Sequence, residues 1–434
     1  MKLRAIAFLI ALAAGSCAAH LAAQTAQSEA DAANSLFQAG NFSEAEKTYS
    51  QLAEQHPKDE DALRQLGYIA LLSNQLEAAQ RWLEKAVTLE PDDSSAKVML
   101  AQVFYRRDQF SQAASILNKL GTSYESMVKN YPMMNAAKLD SFRGQIPYQL
   151  HGKGQITALK FVKSEPLPVV TVRVNRSPEA TFFIDTGGAE LALDTDFARE
   201  LGVKSVGSFQ GTFSGGQHAE VLHGKVDSVT LGDWTLDNVP VVMMRLRQLS
   251  AGFGVKQLDG CIGTNVLYQF LATLDYPQNH LVLRRKTAKN LKEFEKAAGG
   301  GMVSVPIWMA GDHYIVGLGQ VNNTPPALLF VDTGLAGAGV KLAESMIERA
   351  DIKLEENKAS KGAGGGGTLN IVPYTVRQVS FGNITEANVP GLYDGPFPWE
   401  NSFGFYLDGM VGHEFFKPYA VTFDFDNMRI LLQK

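Results

Sequence analysis

Phe182-Phe183-Ile184-Asp185-Thr186-Gly187-Gly188 decides how the rest of this chain reads, because it returns as Leu329-Phe330-Val331-Asp332-Thr333-Gly334-Leu335. Each stretch is a short apolar run, rich in aromatic and β-branched residues, that stops at an acid, a hydroxyl and a glycine. The pattern predicts a buried strand that delivers one carboxylate to the mouth of a tight turn. One such run is common, since turns of this kind often follow strands. Two runs followed by the same landmarks imply a duplicated unit.

The landmarks do recur. Asn175 and Asn322, Pro178 and Pro325, and Asp185 and Asp332 are all offset by 147 residues. Asn238-Val239-Pro240 returns as Asn388-Val389-Pro390, and Asp259-Gly260-Cys261-Ile262-Gly263 as Asp408-Gly409-Met410-Val411-Gly412. Thr273-Leu274-Asp275 returns as Thr422-Phe423-Asp424. From about Gly154 onward, short alternating strands with Gly and Pro turns predict an all-β region. We divide it into lobe 1 over 155–286, a partly helical linker over 287–301 and lobe 2 over 302–434.

At these residues the chain resembles the aspartic protease superfamily, specifically the retropepsin-like lobe of exported bacterial proteins, from roughly Gln155 to the C-terminus. With two lobes in one chain it is similar to the pepsin-like arrangement. The resemblance implies that Asp185 and Asp332 form a catalytic pair. It further implies that Thr186, Gly187, Thr333 and Gly334 support the turns, with the threonines bonding across the lobe interface. Ile262-Gly263 and Val411-Gly412 would pack beneath them. Two carboxyls held this close cannot both ionise comfortably, so they share a proton. One then acts as general base on a water while the other donates to the scissile carbonyl. That chemistry needs no metal and no cofactor. The resemblance also places Ser, Thr or Ala after each glycine, where this chain has Gly188 and Leu335. Without a hydroxyl on the carboxylate, a higher working pH is expected. A flap is expected over Phe213, Ser214, Gly215 and Gly216, whose glycines let a tip bend. Gly362 to Gly367 marks a second hairpin, with less chance of covering substrate.

Other acids read as structural. Asp259, Asp408, Asp275 and Asp424 recur at turn positions, so a turn role is expected. His218, His223, His313 and His413 show no ligand spacing with Cys or a second His. Cys261, in an apolar run, reads as a small buried hydrophobe.

The front of the chain is different. Lys2 and Arg4, an apolar stretch from Ala5 to Ala14 and small residues to Ala23 predict a signal peptide over 1–23. The mature chain would be exported, periplasmic or secreted; membrane attachment would follow only if Cys17 is lipidated. From Asp31 to Gly121 the sequence repeats every 34 residues, with Ala45, Ala79 and Ala113 in register and Pro57 and Pro91 closing the first two units. Residues 31–121 resemble three tetratricopeptide repeats, and 122–154 would be a connector or capping helix. Such arrays present a concave face to a peptide or protein partner. A net charge of -5 without a long basic tract argues against nucleic acid. The expected protein is thus multidomain: an all-α helical repeat array followed by an all-β bilobal fold. It would be an exported aspartic endopeptidase acting on protein or peptide substrates. The alternative is an inactive bilobal peptide-binding or adaptor protein that uses the repeats for assembly.

Overall fold

The computed structural model describes residues 27–121 and 131–434. The signal segment with Cys17, and residues 122–130 of the connector, lie outside the described residues.

The 34-residue period folds as three helix pairs. They are residues 27–38 (α1) with Phe42–Gln55 (α2), Glu60–Leu72 (α3) with Leu76–Leu89 (α4), and Ser94–Arg106 (α5) with Phe110–Leu120 (α6). Asp59 and Asp93 start α3 and α5, each carboxylate accepting a first-turn peptide N–H. Pro57 and Pro91 fall just beyond α2 and α4, where a missing N–H does no harm. A Cβ on Gly67 would stand 2.6 Å from Leu83 Cγ, so α3 and α4 pack at a distance only glycine allows.

The two helices of a pair are buried differently. In α4 the buried residues are the single stripe Leu76, Ala79, Leu83 and Ala86. In α3 the run Leu66 to Leu72 is buried throughout, as a helix with partners on two sides must be. The second partner is the chain's own β region. Tyr68 donates its hydroxyl proton to the Phe403 carbonyl at 3.0 Å. The buried Arg106 guanidinium donates to the carbonyls of Leu71, Met309 and Gly311. The ring of Phe42 meets those of Trp308 and Phe405, each at 5.0 Å. Helical array and lobe 2 therefore share one hydrophobic core.

In the described part of the connector, helix is confined to Ala136–Asp140. The strand Gln149–His151 pairs with Trp234–Met244, so the lobe 1 sheet starts ahead of the expected boundary at 155. Eight strands make that sheet, and thirteen make a second that runs through lobe 2 and a floor beneath both lobes. The floor strands, in spatial order, are Val303–Ala310, Arg429–Gln433, Ala420–Asp424, Phe270–Asp275, His280–Arg285 and Ile156–Lys160. At its centre the repeated triplets meet: Thr273 pairs with Thr422, and their hydroxyls are 2.8 Å apart. This is the local axis relating the lobes. The duplication also reaches the backbone, because Asn175 and Asn322, and Asn238 and Asn388, all adopt left-handed φ near 50° to 55°. The linker forms helix Ala288–Ala298 with a single turn over Gly299–Gly301.

Candidate active site

Each acid turn is built the same way. The strand Ala180–Ile184 runs parallel to Gly260–Ile262, and Ala327–Asp332 runs parallel to Gly409–Gly412. Asp259 and Asp408 each clamp the start of these strands. Asp259 Oδ2 accepts from Thr181 N, and Asp408 Oδ2 from Leu328 N. The packing segment must be glycine: a Cβ on Gly263 would lie 2.3 Å from the Glu190 carbonyl oxygen, and one on Gly412 would lie 2.6 Å from Leu335 Cβ. Asp275 and Asp424 cap turns of the floor by accepting from Gln278 N and Asn427 N.

The strands bring the two turns face to face. Thr186 and Thr333 are fully buried. The peptide N–H of Thr186 donates to Thr333 Oγ1, and that of Thr333 donates to Thr186 Oγ1, both at 3.0 Å. Thr186 Oγ1 then donates onward to the Val331 carbonyl at 2.7 Å. Gly187 N donates to Asp185 Oδ1 at 2.7 Å and Gly334 N to Asp332 Oδ1 at 2.9 Å. Each carboxyl lies over the opposite glycine: a Cβ on Gly334 would be 2.2 Å from Asp185 Cγ, and one on Gly187 would be 2.6 Å from Asp332 Oδ1. The two carboxyls converge on one point: the same Cβ on Gly187 would lie 2.6 Å from Asp332 Oδ1 and 2.9 Å from Asp185 Oδ1.

Their acidities differ. Burial raises the pKa of both, and that of Asp332 goes well above the usual carboxylate range, pushed further by the Asp185 charge despite the Gly334 peptide and Lys341, which favour its anion. Asp185 rises less, because Asp332, the Gly187 and Gly188 peptides and His313 all favour its anion. A proton is therefore held more tightly on Asp332 than on Asp185.

A cavity of about 690 Å³ opens over the pair. Phe183, Val242, Leu246 and Phe253 give it an apolar wall in lobe 1, with Tyr314 and Trp399 opposite. Its roof is the hairpin of Ser208–Thr212 and His218–Leu231, whose tip carries Phe213, Ser214, Gly215 and Gly216. The second hairpin, Ser360–Gly364 with Gly367–Phe381, also contributes to the roof, contrary to expectation. The physical reason is tip-to-tip packing: a Cβ on Gly365 would stand 2.6 Å from the Phe213 ring. Ser214 is tied across to lobe 2, donating to Asp394 Oδ2 at 2.7 Å and accepting from Lys341 Nζ at 2.9 Å. Lys341 Nζ also pairs with Asp394 Oδ1 at 2.5 Å, both side chains being about 1% exposed. Leu335 leans on Gly412 and lines the cavity, while Gly188 leaves room for a side chain, 3.5 Å from the Asp185 carbonyl oxygen and 3.7 Å from Cys261 Sγ. Cys261 is buried, and its thiol is pushed well up by burial and by both aspartates.

Sequence reasoning missed the helices' part in this site. Glu190, in the loop after Gly188, is buried against Tyr105 of α5, whose hydroxyl donates to it at 2.7 Å, and against the Lys138 ammonium. Asn265 donates to the same tyrosine oxygen at 3.0 Å. The cluster Glu165, His413 and Glu414 brings three potential metal ligands together, but Lys417 Nζ already contacts both carboxylates. No described helix is long and apolar enough to cross a membrane.

Two cross-bonded Asp-Thr-Gly turns in one chain define a bilobal fold built around two facing carboxyls. A family model described as aspartyl protease matches residues 170–266 and 318–394, which contain both turns. Tetratricopeptide-repeat models match 30–96 and 70–124. The β region is an aspartyl-protease-family domain, and it follows a tetratricopeptide-repeat region. No curated protein matches the chain. Among solved structures, aspartic proteinase from Irpex lacteus aligns at 14% identity and a TM-score of 0.40, over 64% of this chain and 97% of that one. A Thermobaculum terrenum O-GlcNAc transferase mutant aligns at 22% identity and a TM-score of 0.23, over 24% of this chain and 20% of that one. The chain thus spans about a fifth of that transferase, and neither score adds to the family match.

Proposed function

We propose that this protein is an exported aspartic endopeptidase that hydrolyses peptide bonds in the cleft between its lobes. The observation that carries the reading is the convergence of Asp185 and Asp332 above the reciprocal threonine bonds, in a cavity roofed by the two hairpins. The Asp185 carboxylate takes a proton from water as the water oxygen attacks the scissile carbonyl carbon. Asp332 gives its proton to the carbonyl oxygen, forming a tetrahedral diol. Collapse breaks the C–N bond, with a proton passing to the leaving amine. The apolar wall of Phe183, Leu246 and Phe253 supports an extended peptide with apolar side chains.

The repeats support protein interaction in general. With α3 packed on the β region, the outer sides of α2, α4 and α6 are the faces left for a partner. Export rests on the reading of residues 1–23, and mass spectrometry of the mature N-terminus separates cleavage after Ala23 from lipidation at Cys17. The enzymatic reading is tested by incubating the full chain with a denatured protein across pH 3–8, with and without a pepstatin-type inhibitor. Cleavage that the inhibitor abolishes supports it. Substrate binding without cleavage at any pH assigns the cleft to the peptide-binding alternative.

A further inference from the structure

The two acid turns share their backbone and threonines but differ in what faces them: Gly188 stands where the other turn has Leu335, Lys341 acts on Asp332, and Asp185 is approached by the hairpin turn between Val303–Ala310 and Tyr314–Val321. His313 there is buried, with Nδ1 2.6 Å from Asp312 Oδ1 and Nε2 3.0 Å from the Gly187 carbonyl oxygen. A carbonyl oxygen carries no proton, so Nε2 is the donor. One proton is then shared between Nδ1 and Asp312 Oδ1. The Met133 N–H donates to Asp312 Oδ2 at 2.9 Å, so the carboxylate behind the ring is itself held in place and both ring nitrogens face acceptors. The duplication supplies no counterpart in lobe 1: at the 147-residue offset that relates the threonines, His313 corresponds to Pro166.

We propose that His313, held by Asp312, is a positioning residue that fixes the Asp185 turn and selects Asp185 as the base of the pair. The inference rests on the reading of Asp185 and Asp332 as the catalytic dyad. The path is short. Gly187 C=O and Gly188 N–H belong to one peptide group; the Gly188 N–H donates to the Asp185 main-chain carbonyl at 3.2 Å, and its dipole also favours the Asp185 carboxylate. A ring donor on the Gly187 carbonyl, backed by the Asp312 carboxylate, polarises that amide and strengthens its positive end toward the aspartate. Lobe 2 thereby reaches over to set the state of the lobe 1 acid.

Other ionisable groups also face these residues. Asp332, Cys261 and Tyr276 surround Asp185. The Tyr314 ring lies tilted against that of His313, their centroids 4.0 Å apart. Tyr105, Arg106, Tyr131 and Lys138 lie within electrostatic reach of Asp312. Variants must leave these in place, which favours small changes at His313 and Asp312.

Three full-chain variants test the inference. His313→Gln keeps a donor but loses the ring's tie to Asp312, His313→Leu loses both, and Asp312→Asn removes the carboxylate behind the ring. Two readouts are taken: the pH dependence of kcat and kcat/KM, and the pH titration of the Gly188 amide by nitrogen-15 NMR. In His313→Leu, kcat falls about tenfold or more at nearly constant KM. In all three, the acid limb and the Gly188 midpoint move up by about one pH unit. If folded His313→Gln and Asp312→Asn keep the wild-type limb and midpoint, the inference is overturned, whatever His313→Leu does to folding. Should the wild type cleave no peptide bond, the enzymatic reading fails by itself. A Gly188 midpoint that still rises in His313→Gln then keeps the inference, and one that stays put removes it.

Discussion

Thr186 and Thr333 hold each other by exchange: each peptide N–H donates to the other's hydroxyl at 3.0 Å, with both residues wholly buried. Only Thr or Ser can accept such a bond while keeping a proton to donate onward. Thr186→Val leaves the Thr333 N–H unpaired and removes the donor to the Val331 carbonyl. We expect a loss of about 1–3 kcal/mol of stability for each buried group left unsatisfied, measured by urea unfolding, and a fall in kcat as the turns separate. Thr186→Ser should retain most of both.

Burial, and then the Asp185 charge, hold the Asp332 pKa well above its ordinary value near 4. The native state therefore keeps this proton at pH values where the unfolded chain has lost it. Between those two values the native state binds more protons, so the contribution to stability falls as pH rises. Asp332→Asn removes that loss. Thermal unfolding at neutral pH should show the variant more stable than wild type by about a few degrees, the gap closing toward pH 4. An unchanged gap between pH 4 and pH 7 contradicts the assignment.

Gly188 has room for a hydroxyl beside Asp185, since an added Cβ meets nothing nearer than 3.5 Å. A serine there can donate to the Asp185 carboxylate and stabilise its anion. Gly188→Ser should lower the acid limb of the kcat/KM profile by about half to one pH unit, with the stability nearly unchanged. A limb that does not move means the hydroxyl does not reach the carboxylate.

The Lys341–Asp394 pair fastens the roof through Ser214. Ser214→Ala frees the flap tip without touching the ion pair. KM should rise severalfold with little change in kcat, and hydrogen exchange at residues 211–217 should accelerate. Lys341→Met strands a buried carboxylate and should cost about 3–5 kcal/mol. The double variant Lys341→Met with Asp394→Leu should recover most of that stability.

The acid turns, their glycines and the packing segments were legible because local pattern alone dictates them. An apolar run ending in Asp-Thr-Gly specifies a buried strand and a tight turn, and the 147-residue echo supplies the partner. The helix pairs were legible from their period. What decides the environment of the pair was not. His313 reaches Gly187 across 126 positions, and Lys341 reaches Ser214 across 127, with no spacing rule to link them. The docking of α3 did leave a trace. Ile69-Ala70-Leu71-Leu72 is apolar on every side, and a helix of that kind needs a second partner. The role of the second hairpin left none, because its glycines matter only as a floor for the Phe213 ring.

The central claim is that one water is activated between Asp185 and Asp332. The most direct measurement is the initial rate of cleavage of a denatured protein, from pH 3 to pH 8, by wild type, Asp185→Asn and Asp332→Asn. We expect a bell-shaped profile for the wild type and a loss of about a thousandfold or more in either variant, with peptide binding retained. Equal cleavage by wild type and both folded variants would contradict it.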